Sequence, residues 1–139
     1  MESVASRDEA LRIAIQKLAR RIRSNRGNEL GDSQLSVLFT LQREGGMSPA
    51  ELATREQVTP PSMSRTINAL DTRGLVTRSP DPGDARRVIV SITETGQALL
   101  RATSELRASW FRDRFHELSA AEQSLLHDVL PLLQRLGDE

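Results

Sequence analysis

The chain has 139 residues, 37% of them hydrophobic, no cysteine and a formal net charge of zero. That length suits one domain, or one domain with an oligomerising extension, and a core of modest size. The absence of thiols excludes disulfides, a thiolate metal site and a thiol switch, and no apolar run approaches the ~20 residues of a membrane span.

The N-terminus is charged and lacks a secretory apolar segment, so a soluble cytoplasmic protein is expected. Charge is unevenly placed. Residues 7–26 hold Arg7, Arg12, Lys17, Arg20, Arg21, Arg23 and Arg26 against Asp8 and Glu9, whereas residues 113–139 hold six acids against Arg114 and Arg135. A basic first helix and an acidic last helix suggest mutual packing, within or between subunits. Any contact with a polyanion then rests on local charge rather than on the total.

A first helix is predicted from Arg7 to Ser24. Leu11, Ile15, Leu18 and Ile22 repeat at steps of four, three and four, a narrow seam like that of a coiled coil. The seam suits dimerisation, and it would equally suit an intramolecular core. Gly27 and Gly31 break the helix. Asp32 is a good N-cap for a second helix, whose Leu35, Val37, Leu38, Phe39 and Leu41 are apolar on most sides and therefore belong in the middle of the domain. Gly45-Gly46 ends it. Ser48-Pro49-Ala50-Glu51 is a capping box with proline in the first helical position, opening a short third helix that ends near Gln57.

Thr59 caps a fourth helix, and Pro60-Pro61 occupy its first turn, where a missing N–H costs nothing. Met63, Ile67 and Leu70 form its apolar face. Pro61, Arg65, Asn68 and Thr72 line the opposite stripe, about 200° around from Met63, with Ser62 beside it. Arg and Asn can bond bidentately to guanine and adenine, and Ser and Thr bond phosphates or base edges. A proline offers DNA only apolar surface, for instance to a thymine methyl. The stripe would also suit an ordinary solvated helix face. The residues after Thr72 favour the DNA reading. Gly74 stops the helix through a left-handed residue. Two β-branched runs, Leu75-Val76-Thr77 and Val88-Ile89-Val90-Ser91-Ile92, flank the turn signal Pro80-Asp81-Pro82-Gly83-Asp84. Asp84, Arg86 and Arg87 fall at or just after the hairpin tip. A cation there can enter a narrow minor groove, and Asp84 can orient a neighbouring guanidinium. Helix, tight turn, helix and arginine-bearing hairpin make a winged helix-turn-helix.

Thr93 caps a fifth helix, predicted to run to about His116 and loaded with Leu99, Leu106, Trp110, Phe111 and Phe115. Ser119-Ala120-Ala121-Glu122 is a second capping box. It opens a sixth helix rich in leucine, kinked at Pro131. Apolar surface at both ends of the chain implies a two-fold dimer, with Leu11, Ile15, Leu18, Leu126, Val129, Leu130 and Leu133 at its interface.

The segment resembles the DNA-binding half of the MarR (multiple antibiotic resistance regulator) family. The matching residues are Ser62-Met63-Ser64-Arg65, Leu70-Asp71-Thr72-Arg73-Gly74-Leu75-Val76, Asp81-Pro82-Gly83-Asp84-Ala85-Arg86-Arg87 and Val90-Ser91-Ile92-Thr93-Glu94-Thr95-Gly96. Helix order and length match over nearly the whole chain. The resemblance implies a mainly α fold with a small β-hairpin wing. Residues 32–96 would form the winged helix-turn-helix lobe, and residues 1–31 and 97–139 the helical dimerisation region. It implies a transcriptional regulator, most readily a repressor, that binds a palindromic operator as a homodimer. DNA contacts would come from Pro61, Ser62, Ser64, Arg65, Asn68, Asp84, Arg86 and Arg87. Many members release DNA when an aromatic acid or another lipophilic compound binds between dimer region and DNA lobe. By matching helix positions, Arg20, Arg23, Gln34, Phe39 and Trp110 would border that cleft. A winged-helix dimer serving as a protein-interaction module, or a DNA-binding dimer without an effector, are the rival readings.

No enzyme is expected. The two histidines, His116 and His127, lie on different predicted helices, and no nucleophile, base and orienter share a spacing. No cofactor or metal is expected, since two histidines supply too few ligands. Asp113, His116 and Glu117 could share a helix face, as solvated acid and histidine clusters commonly do.

Overall fold

The computed structural model describes residues 3–138. In chain order the elements are α1 (Val4–Ser24), α2 (Asp32–Glu44), α3 (Pro49–Arg55), α4 (Pro60–Thr72), β1 (Val76–Asp81), β2 (Asp84–Ile92), α5 (Glu94–His116), α6 (Ala120–Asp128) and α7 (Leu130–Gly137). They fall into two units. Arg26–Ser104 forms one; the residues up to Asn25, with those from Glu105 onward, form the other.

The Arg26–Ser104 unit holds the buried core. Leu35, Val37, Leu38 and Leu41 of α2 are at most 2% exposed, as expected of a helix apolar on most sides. Around them gather Leu52 of α3, Met63, Ile67 and Leu70 of α4, Val76 and Val90 of the hairpin, and Leu100 of α5. Each buried leucine or isoleucine contributes about 1.5–3 kcal/mol of transfer free energy. Buried Thr103 of α5 closes the unit. Its hydroxyl accepts from Asn28 Nδ2 at 3.0 Å and donates to the Arg26 carbonyl at 3.3 Å.

Helix ends follow local chemistry. The Thr59 hydroxyl accepts from the Ser62 N–H at 3.3 Å, and Pro60 and Pro61 sit in the first turn of α4. At the other end Gly74 takes φ +72°, a left-handed conformation that disfavours any residue with a Cβ. Four boundaries differ from the sequence reading. α1 begins at Val4, capped by the Ser3 hydroxyl at 3.2 Å from the Ser6 N–H. Gly31, not Asp32, is the N-cap of α2; its N–H donates to Gln34 Oε1 at 3.2 Å, while Asp32 pairs with Arg26 at 2.6 Å. α3 stops at Arg55, because Gln57 turns to φ +56° to start the tight turn. The leucine-rich terminal helix is divided rather than kinked. Pro131 cannot donate to a carbonyl in a preceding turn, so α6 ends at Asp128 and α7 starts at Leu130 with proline in its first turn.

The hairpin is antiparallel and longer than its β-branched runs. Val76 pairs with Ile92, Pro80 with Val88 and Asp81 with Asp84, leaving Pro82-Gly83 as the loop. Pro80 is tolerated because a strand of a two-stranded sheet has a free edge, where a lost donor is harmless. Met47, just before α3, bridges Val90 of β2 through N–H···O bonds of 3.0 and 2.7 Å. Gly46 makes that approach possible: a Cβ there would stand 2.8 Å from both Ile89 Cγ2 and Ser91 Oγ.

The other unit is built differently. α1, α6 and α7 contain no buried residue. Leu11, Ile15, Leu18, Leu126, Leu130 and Leu133 are between 39% and 59% exposed, and Val129 is half-buried. α6 is opened by the expected capping box, with the Ser119 N–H donating to Glu122 Oε1 at 2.9 Å and the Glu122 N–H to Ser119 Oγ at 3.1 Å.

Candidate nucleic-acid interface

The polar stripe of α4 faces away from the core. Pro61, Ser64, Arg65, Asn68 and Thr72 are exposed and Ser62 is half-buried, while Met63, Ile67 and Leu70 are buried beneath them. The side chains of Ser64 and Arg65 have no hydrogen-bonding or ionic partner among the described residues. An unpaired guanidinium on an exposed helix face keeps all five donors available to a ligand. Thr72 is different: its hydroxyl donates back to the Asn68 carbonyl at 2.9 Å.

The helix is held from below by a group that sequence reasoning missed. Glu56, the C-cap of α3, accepts from Ser36 Oγ and Thr40 Oγ1 of α2, each at 2.6 Å. One carboxylate thus ties α2 to the turn between α3 and α4. No spacing rule reveals it, because its partners lie 20 and 16 residues away.

The wing treats its two arginines unequally. The Arg86 side chain is 95% exposed, with Asp84 Oδ1 3.5 Å from its Nε. Asp84 also accepts from the Arg86 backbone N–H at 3.0 Å, which stiffens the tip. Arg87 turns inward. Its guanidinium pairs with Glu51 of α3, stands 3.7 Å from Asp81 Oδ2 and donates to Ser48 Oγ at 3.4 Å. Of the two, Arg86 is therefore the wing-tip cation that projects toward solvent, with the longer ion pair and the more exposed side chain. Arg78 on β1 is also engaged within the lobe, by Asn68 and by Asp71.

In the α1/α6/α7 unit, a cavity of about 480 Å³ is lined by Lys17, Leu18, Arg21, Trp110, Phe111 and Phe115, among others. Arg114, also on its wall, lies over the Trp110 ring at 5.1 Å, and Phe111 stacks with Phe115 at 5.9 Å. Of the residues expected at an effector site, Trp110 lines this cavity; Arg20 and Arg23 are exposed elsewhere on α1. In the Arg26–Ser104 unit Gln34 serves the N-terminus of α2, and Phe39 packs against the core.

A helix-turn-helix followed by a β-wing, with a polar helix face and a protruding cation, defines a winged-helix DNA-binding regulator. Residues 30–88 match the MarR family. An HTH-type transcriptional regulator of Mycobacterium tuberculosis is 39% identical over 140 residues, covering 100% of this chain and 98% of that protein. The chain belongs to the MarR family of transcriptional regulators. Among solved structures, RV1404 from Mycobacterium tuberculosis superposes with a TM-score of 0.82 at 25% identity, over 100% of this chain and 97% of that one. A MepR mutant of S. aureus bound to an oligodeoxyribonucleotide shares the fold, with a TM-score of 0.73 and 20% identity over 93% of this chain and 96% of that one. MarR-family regulators bind DNA, act as dimers and are not enzymes.

Proposed function

We propose that this chain is a homodimeric, cytoplasmic repressor that binds a palindromic operator and is released by a small aromatic acid. The observation that carries the reading is the pair of exposed guanidiniums: Arg65 on the outer face of α4, without a partner among the described residues, and Arg86 at the wing tip, 95% exposed beside Asp84. A guanidinium on a helix matches guanine O6 and N7 in the major groove. One on a hairpin tip matches the negative potential of a narrow minor groove. Ser62, Ser64 and Pro61 would flank Arg65 on the DNA.

The dimer is supported by the many exposed leucines of α1, α6 and α7, none of which that unit buries on its own. Two copies of α4 would enter successive major grooves, with half-sites about 10 base pairs apart. Release by ligand is supported by the aromatic walls and cationic edge of the cavity beside Trp110, whose volume lies within the ~300–1,000 Å³ range of small-molecule sites.

The test is selection of fragments from randomised duplex DNA by the purified protein, followed by binding titrations on the recovered site. A palindrome with half-sites one helical turn apart is expected. Arg65→Ala should weaken binding by about 1–3 kcal/mol and relax one base position. Sedimentation should return a dimer. A panel of aromatic acids should raise the melting temperature and loosen the operator. A monomer, equal affinity for every duplex, or an unaffected Arg65→Ala variant would overturn the DNA reading; an inert panel would leave a DNA-binding dimer without this class of effector.

A further inference from the structure

Arg78 stands on β1, and its guanidinium reaches back to the recognition helix. Nη1 donates to Asp71 Oδ2 at 2.5 Å, and Nη2 donates to Asn68 Oδ1. Arginine carries donors only, so the atom of the Asn68 amide that meets it has to be the oxygen. Asp71 anchors the guanidinium independently, as an ion pair whose two side chains are 36% and 42% exposed. The Asn68 amide is thereby oriented. Its oxygen faces the arginine, and its NH2 group has no partner among the described residues.

We propose that Arg78 is a specificity-determining residue that acts through Asn68, changing the base this asparagine selects. The proposal rests on reading α4 as the recognition helix. An asparagine free at both ends favours adenine, because its oxygen accepts from N6 while its amino group donates to N7. The Asn68 oxygen is engaged and lies beside a fixed positive charge, which disfavours a second donor there. What Asn68 offers the major groove is a pair of N–H donors. Guanine answers with two acceptors, N7 and O6. Adenine presents one acceptor beside an amino group left without a partner, and cytosine presents a donor alone. Asn68 in this lobe therefore selects guanine over adenine. Thr72 adds no competing donor, since its hydroxyl proton is committed to the backbone carbonyl of Asn68.

The experiment is the same randomised-duplex selection, run with wild type, Asn68→Ala, Asn68→Asp and Arg78→Met. Asn68→Ala identifies the position that this residue reads, as the one where base preference becomes level. There the wild type should favour guanine over adenine by about tenfold, the scale of one good bidentate contact. Arg78→Met frees the amide oxygen and should shift that position toward adenine, leaving the position read by Arg65 unchanged. Asn68→Asp keeps the acceptor for Arg78 but removes the N–H donors, and should lose the guanine preference. A wild-type preference for adenine at this position would overturn the proposal. So would an Arg78→Met variant that binds more weakly but with an unchanged base profile, since that is the signature of a mere strut. If Arg78→Met fails to melt cooperatively, the wild-type profile and Asn68→Asp decide the matter. An absence of base preference at every position in the wild type is a separate outcome: it removes the recognition-helix reading itself.

Discussion

The two adjacent arginines of the wing should behave as different kinds of residue. Arg86 is 95% exposed, with a 3.5 Å approach to Asp84 as its side-chain pairing, so its charge is available to displace counterions from DNA. Arg87 is already compensated by Glu51, with Asp81 at 3.7 Å. Each cation engaged with duplex DNA contributes about 0.9 to the slope of log K against log salt. With two subunits on an operator, Arg86→Ala should flatten the slope by about 1.8. Over a fourfold rise in salt, from roughly 50 to 200 mM, that makes the variant about twelvefold less salt-sensitive than the wild type. Arg87→Ala should change the slope far less, because its guanidinium is spent on Glu51 and Asp81 within the lobe rather than on DNA phosphates. Its cost falls on the lobe, as the loss of a partly exposed ion pair worth roughly 0–1 kcal/mol. Fluorescence anisotropy of a labelled operator over a potassium chloride series measures both slopes. Equal flattening by the two variants, or none from Arg86→Ala, would refute the division of labour.

The geometry sets three further outcomes. Glu56→Ala should destabilise the protein by about 1.5–3 kcal/mol in chemical denaturation, because it strips a charged acceptor from two hydroxyls, one on buried Thr40. Gly96→Ala should lower the melting temperature through overpacking of about 1–3 kcal/mol, since a Cβ there would collide with the Leu75 carbonyl and stand 2.7 Å from Ile92 Cγ1. The Ser119 backbone N–H, then the Ser119 side chain, hold the Glu122 carboxyl below the usual glutamate range. A depressed folded-state value means that its contribution is complete above the ordinary glutamate pKa and is lost as pH falls through the lowered value. NMR titration should place Glu122 below the ordinary glutamate value, as it should Glu9, whose carboxyl Arg12 also holds down; a value in the ordinary range would refute the cap.

What the sequence made legible was whatever depends on neighbours a few residues apart. Thr59 with Pro60 and Pro61, Ser48 with Glu51 and Ser119 with Glu122 each announce a helix start, because cap and partner lie within one turn. The buried face of α4 follows from its period. Long-range pairing is what the residues did not disclose. Arg86 and Arg87 look equivalent in sequence, yet Arg87 is claimed by Ser48, 39 residues away. Asn68 reads as a free amide until the hairpin folds back and brings Arg78 to it across 10 residues. The splitting of the last helix was half visible. Pro131 marks the place, but the outcome at Val129, a break rather than a bend, depends on a full turn being available on the far side.

The short bridge between Met47 and Val90 has a mechanical consequence. It staples the stem of the hairpin to the segment that launches α3, so the base of the wing and the start of that helix are pinned together like one jaw of a caliper. Such a jaw has little freedom to loosen its grip by letting the hairpin flap. In the proposed homodimer, control over binding would then have to adjust how far apart two jaws stand, and an error of a few ångströms in that span would cost both grooves at once.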